Sequence, residues 1–405
     1  MVSQRVKTAP QREFVPISIG IGVLVACLLR LPSTDRSLFW REFVLLGTGE
    51  ISLVYYLLQP RAVHLSKKLS LLLLALLGLS TYSLLQTRPL RAGLLGTPLI
   101  HPGLFSLYAS VLIGFVFAAH RKALGFWKAA YWVILAFSLV NLLYWLTHGV
   151  SNRLGLVGIQ INYSALIFVL GIVIGSWLYA HAYITTWQAL AAQCLLLVSV
   201  ALTQSRVEIV LALLVSGWFA CDLLLQKFSK TQAWLVLGVI GFVLVMGLSF
   251  IPRVSSGSYF GTSVTYRRDL VRAALPTHTS GWILGSGITS LETNIATRGW
   301  QYPELRKDLQ TGWHFESSHN YVVDLIVERG LIVLGLYLAL TYLALQSAWQ
   351  QKEASAKLLG VLLSCLLVFL LFDNINIQTE LLYWVLVIGL LSPYPHSRTM
   401  AAKKA

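Results

Sequence analysis

Apolar runs close to the roughly 20 residues of a membrane-spanning helix recur along the whole chain. They fall at 16–31, 38–58, 69–86, 103–119, 125–147, 161–183, 187–203, 206–225, 233–251, 320–346, 356–373 and 379–392. The pattern predicts an all-α polytopic membrane protein with about twelve transmembrane helices. Residues 1–405 read as a single integral membrane domain with no internal repeat. One connector is long, 252–319, inserted between the ninth and tenth spans and expected to contain short helices. Arg5, Lys7 and Arg12 precede the first run, and no small-residue cleavage motif follows it, so a retained first span is expected.

Composition agrees with this pattern. The chain is 56% hydrophobic and 12% charged, with a mean hydropathy of +0.70, where soluble proteins carry about 25% charged residues. The net charge of +15 would point to nucleic acid on a soluble protein. Here the basic residues sit in short connectors, which points to topology and anionic lipid, and to no nucleic-acid partner. Cys27, Cys194, Cys221 and Cys365 all lie within apolar runs and are expected to be buried as small hydrophobes, without disulfides or metal.

The basic residues orient the chain. With both termini cytoplasmic, the inner connectors hold Arg61, Lys67 and Lys68; Arg121, Lys122 and Lys128; Lys227 and Lys230; Lys352 and Lys357; and Arg398, Lys403 and Lys404. Only Lys307 among the lysines then falls outside, which makes the 252–319 connector extracytoplasmic. Arginine does not share this bias. Arg30, Arg36, Arg41, Arg88, Arg91, Arg153, Arg206, Arg253, Arg267, Arg268, Arg272, Arg298 and Arg306 lie on the outer side or at its border. Guanidinium groups fork onto phosphate oxygens, so an arginine-lined outer cavity suits a diphosphate or another phosphorylated lipid. The plainer explanation for any one of them is snorkelling to headgroups.

Ser317-Ser318-His319-Asn320-Tyr321 stands directly before an apolar helical pattern. Ser317 or Ser318 is expected to cap that helix. His319 would then sit at a helix N-terminus, whose partial positive charge favours the neutral imidazole that a general base needs. A surface histidine at a helix start is the simpler alternative. Asn320, Asp324 and Glu328 recur every four residues on one face. Charge at membrane depth faces an interior or a cavity, and for Glu328 and Arg329 a bundle-holding ion pair is the expected role.

Two further clusters carry candidate chemistry. Ser205-Arg206-Val207-Glu208 separates two spans by only a few residues, which holds Arg206 near the outer boundary, available to a ligand or paired with Glu208. Tyr266 to Pro276 reads as a short amphipathic helix stopped by proline. Arg268 and Arg272 repel at a spacing of four, and an external anion would relieve that; a basic helix on lipid headgroups is the alternative. Leu284-Gly285-Ser286-Gly287 follows as a tight turn. The sequence has no Asp-x-Asp pair, no P-loop, no dinucleotide fingerprint and no GxSxG elbow. His314 and His319, five apart, do not share a helical face.

These blocks resemble the O-antigen ligase family, which groups with O-antigen polymerases. The resemblance rests on Ser205-Arg206 opening a span, on Arg267 with Ala273-Ala274-Leu275 and then Leu284-Gly285-Ser286-Gly287, and on His319-Asn320 followed by Glu328, Gly330 and Gly335. It covers roughly 160–345; the first 150 residues match only as a stack of spans. Val271 stands where the family often has an aromatic residue, and the further glycine downstream of the Gly-x-Gly block is missing.

The resemblance implies an inverting, metal-independent glycosyl transfer on the periplasmic side of a bacterial inner membrane, with no cofactor. The donor would be a glycan on undecaprenyl diphosphate, and the acceptor a sugar hydroxyl of lipid A–core. It gives His319 the role of base. Arg206 and Arg267 or Arg268, with Arg272 beside them, would bind the diphosphate, and Asn320, Glu328, Arg88 and Arg91 would support the site. Polymerases often carry an Arg-x10-Gly pattern that the 252–319 connector lacks, which favours a ligase. A transporter of the same lipid should show two related halves, and none is visible. A non-catalytic scaffold would need neither His319 nor Arg206.

Overall fold

The computed structural model describes residues 65–87, 90–95, 103–120, 124–148, 161–227, 257–312, 317–373 and 377–392, with 47–48, 50–51, 154 and 315. The spans expected at 16–31 and 233–251, and nearly all of 38–58, lie outside these residues. The described residues form helices and no strand.

The helices are α1 (Lys67–Leu85), α2 (Leu90–Leu95), α3 (Leu104–His120), α4 (Leu124–His148), α5 (Ile161–Ala180), α6 (Thr186–Thr203) and α7 (Arg206–Lys227). After them come α8 (Gly257–Ala274), α9 (Thr279–Leu284), α10 (Ser290–Arg298), α11 (Pro303–Gln310), α12 (Tyr321–Gln350), α13 (Ala354–Phe372) and α14 (Ile377–Leu391). Of these, α1, α4, α5, α6 and α13 are long and apolar enough to cross a membrane, and α3 and α14 are shorter apolar helices. Local chemistry sets the ends. Ser66 caps α1 by accepting from Leu69 N–H at 3.3 Å. Thr185 and Gln188 form a reciprocal capping box on α6. Pro303 stands in the first turn of α11, where no N–H is needed.

The bundle is organised around α5, which is buried along most of Tyr163–Gly175 and packs against α4, α6, α7 and α13. Polar contacts tie these helices where lipid offers no partner: Ser138 and Ser199 hydroxyls meet at 2.7 Å, and Gln193 donates to Ile172 O at 3.0 Å. A second group packs α12 against α1, α13 and α14, and α14 against α3. The outside is apolar: Leu71, Leu74, Leu143, Leu214, Leu338 and Tyr342 are exposed. A soluble protein would not leave such a belt in water, but a bilayer accepts it. Cys194 departs from expectation for this reason, lying exposed on α6, whereas Cys365 is buried. In a bundle with an apolar exterior, an apolar run does not imply burial.

The long connector is more structured than a loop with short pieces. Its α8 begins at Gly257, well before the expected start near Tyr266, because Gly257–Thr265 has no apolar periodicity to announce a helix. It ends at Ala274, since Pro276 disfavours helical backbone at Leu275. Leu270, Ala273 and Ala274 join Leu291, Ile295, Leu305, Phe315 and Val327 in a small separate core, so the connector is folded onto α12. Tyr266 donates to Asp308 at 2.6 Å and pins α8 to α11. Burial and then the Asp308 carboxylate raise that phenol well above its ordinary pKa.

Candidate active site

Four helix ends meet at one end of the bundle: the starts of α5, α7 and α12 and the finish of α13. The His319 turn is built by Asp324. This buried carboxylate accepts from Ser317 Oγ at 2.8 Å, Ser318 Oγ at 2.5 Å and Ser318 N–H at 3.0 Å. The serines therefore do not cap α12 as expected. Asn320 does, accepting from Val323 N–H at 3.2 Å, because its extended backbone suits a cap and the serine hydroxyls are engaged by Asp324. His319 itself has left-handed backbone, with φ of 58°. For a non-glycine residue this costs roughly 1–2 kcal/mol, and such strain concentrates at functional sites. Its N–H donates to Ser317 Oγ at 2.9 Å, which helps hold it there.

His319 Nδ1 lies 3.7 Å from Asp373 Oδ1, with the imidazole 40% exposed and the carboxylate 5% exposed. Nδ1 is buried without a hydrogen-bond partner among the described residues, so the exposed part of the ring lies on its other atoms. This gap is slightly long for a hydrogen bond, as catalytic contacts often are before substrate tightens them. The sequence offered no sign of Asp373. It stands at the end of an apolar run, and only the packing of α13 against α12 brings it behind the imidazole.

The arginines divide. Arg267 donates from Nη1 to Phe372 O at 2.8 Å, placing its half-buried guanidinium beside the residue that precedes Asp373. Asn320 Nδ2 donates to Leu371 O at 3.1 Å, so Arg267 and Asn320 both hold the last turn of α13. Arg268 pairs with its neighbour Asp269 at 3.3 Å and is exposed, as is Arg272. Asp269 thus offsets part of the repulsion between Arg268 and Arg272, as its place in the sequence between them implies. Arg206 is half-buried at the first position of α7. Before it, Gln204 is also left-handed, with φ of 55°. Ser205 Oγ contacts the Glu208 carboxylate and Asn162 Oδ1, the latter at 3.1 Å. Arg88 lies outside the described residues, and of Arg91 only the backbone in α2 is described. In the same connector, Arg298 donates to Leu275 O and Arg306 to Trp300 O at 2.9 Å; burial lowers the Arg298 pKa.

Gly285-Ser286-Gly287 is a turn docked on a break in α12. Gly330, with φ of 85°, interrupts that helix and frees carbonyls behind it. Ser286 N–H donates to Val327 O at 2.8 Å and Gly287 N–H to Glu328 O at 3.1 Å, satisfying them. The backbones are so close that a Cβ on Gly285 would overlap Glu328 O, and one on Gly330 would overlap Ile283 O. Glu328 accepts from Thr289 N–H at 3.2 Å, and Ile288 N–H donates to Thr87 Oγ1 at 2.9 Å, next to Arg88. Arg329 turns the other way, to Glu380 at 3.9 Å and Tyr337 OH at 3.2 Å.

Residues 191–338 match a family model described as O-antigen ligase. Comparison with curated proteins finds no match. The ligase-family stretch contains Ser205-Arg206, α8, the glycine turn, His319 and the break at Gly330, while Asn162 and Asp373 lie outside it. The family supports a function of the O-antigen ligase or polymerase type, in a glycosyltransferase-like membrane enzyme. Among the described residues, no three His, Cys, Asp or Glu side chains gather into a metal-binding group. The groups gathered here are one imidazole, the carboxylate behind it and the Arg267 guanidinium on the adjoining Phe372 carbonyl, which suits proton abstraction beside an anion.

Proposed function

We propose that this protein is an O-antigen ligase acting on the periplasmic side of a bacterial inner membrane, with both termini cytoplasmic. It transfers a glycan from undecaprenyl diphosphate to a sugar hydroxyl of lipid A–core. His319 takes the acceptor proton on Nε2 while Asp373 faces Nδ1. The acceptor oxygen forms the new bond to the anomeric carbon with inversion, and the bond from that carbon to the diphosphate oxygen breaks. Undecaprenyl diphosphate leaves with the electron pair. Arg206 and Arg267, with Arg268 and Arg272 at the exposed rim, neutralise the charge that develops on it. The step is metal-independent. The observation that carries this reading is the partly open imidazole backed by Asp373, with Arg267 bonded to the adjoining Phe372 carbonyl. The distribution of lysines and the missing Arg-x10-Gly pattern support the side and the ligase assignment.

Reconstitution with purified lipid-linked glycan and lipid A–core tests it. Glycan on lipid A–core is expected, undiminished by chelator. Longer glycan still on the carrier would make the protein a polymerase, and unchanged lipid that has crossed the bilayer would make it a transporter. His319→Ala should stay folded and lower transfer by about 10²–10⁴-fold, the usual size of general-base catalysis.

A further inference from the structure

Asn162 opens α5 and lies between two parts of the site that no motif connects. Its Nδ2 donates to Asp373 Oδ2 at 2.6 Å, and its Oδ1 lies 3.1 Å from Ser205 Oγ, whose single proton the Glu208 carboxylate also draws on. Chemistry dictates this orientation. A carboxylate only accepts, so the amide nitrogen must face Asp373, which leaves the amide oxygen toward the serine hydroxyl. With Oδ2 engaged, Asp373 turns Oδ1 toward His319 Nδ1 at 3.7 Å. The terminal torsion of an aspartate is broad when nothing holds it, and a carboxylate swinging about that bond would not keep an imidazole aligned.

The geometry assigns Asn162 as a positioning residue for glycosyl transfer: its amide locks the Asp373 carboxylate in the orientation that aligns His319. This rests on the general-base role proposed for His319. Asn162 touches no reacting atom. Its effect is to hold the base where the acceptor hydroxyl meets it, and misplacement by about 1 Å costs on the order of 100-fold in rate.

The test uses the full chain in nanodiscs with undecaprenyl-diphosphate-linked glycan and lipid A–core. Asn162→Ala should lower kcat about 100-fold and leave the KM for the lipid-linked donor nearly unchanged. Asn162→Asp has the same shape but sets an acceptor against an acceptor, so it should lose at least as much. It also carries the test should the alanine variant not fold. Because Asn162 acts through His319, the His319→Ala/Asn162→Ala double variant should be no slower than His319→Ala alone. Parent-like kcat in both Asn162 variants, or losses that multiply in the double variant, would overturn the assignment while an inactive His319→Ala left the general base standing. A His319→Ala variant with parent-like transfer would overturn both.

Discussion

Helix α12 carries two polar clusters with opposite characters. At its break, Arg329 and Glu380 are almost wholly buried, 4% and 0% exposed, and the guanidinium also donates to Tyr337 OH. Ser106 donates to Glu380 Oε2 at 3.2 Å. At its start, His319 is partly open, held in left-handed backbone, with one ring nitrogen buried and no hydrogen bond on it among the described residues. The first cluster closes charge inside the bundle, joining α12 to α14. The second leaves chemical capacity unspent at a surface. Charge within an apolar helix therefore has two uses, and burial separates them: Glu380 Oε1 and His319 Nδ1 both lack a hydrogen bond among the described residues, but only the imidazole is open at the rest of its side chain.

The comparison is sharpest in what each cluster loses on truncation. Asp373→Ala should leave a folded bundle but lower transfer by about 10²–10⁴-fold, measured by kcat with unfolding followed in parallel; a large loss of stability with proportionate activity would place Asp373 with the structural cluster. Glu380→Ala should behave the other way. It strands a buried guanidinium and should lower stability by about 3–5 kcal/mol, read as a fall in unfolding midpoint. Replacing both partners, Arg329→Met with Glu380→Leu, should recover most of that; no recovery would mean that the pair is more than an ion pair. Gly330→Ala should cost about 1–3 kcal/mol or more, from a left-handed position that also abuts the Ile283 carbonyl. A parent-like midpoint there would show that the glycine turn is not held by the break. At the small end, Cys194→Ser on the exposed face of α6 should change stability by less than about 0.5 kcal/mol.

Much of the helical architecture was visible in the sequence, since a span of suitable length advertises itself through apolar content alone. The ends were less so. Asn320 displaced Ser317 and Ser318 as the cap because Asp324, a turn further on, claims their hydroxyls. Asn162 and Asp373 carry no signal in the sequence, one at the head of an apolar run and the other at the foot of one. Their hydrogen bond joins residues 211 positions apart. Nothing in periodicity records such a pair.

By itself the sequence determined that the chain builds apolar helices for a membrane, and which local blocks carry unusual charge: Ser205-Arg206, Arg267-Arg268, His319-Asn320 and Glu328-Arg329. Only tertiary structure decided how these blocks divide, sending Arg329 to Glu380, Arg267 to the end of α13, and Asp373 behind His319. The physical reason is range. Apolar length and capping act over one or two helical turns and are written in neighbouring residues, whereas a hydrogen bond between helices exists only once packing has brought their ends within about 3 Å.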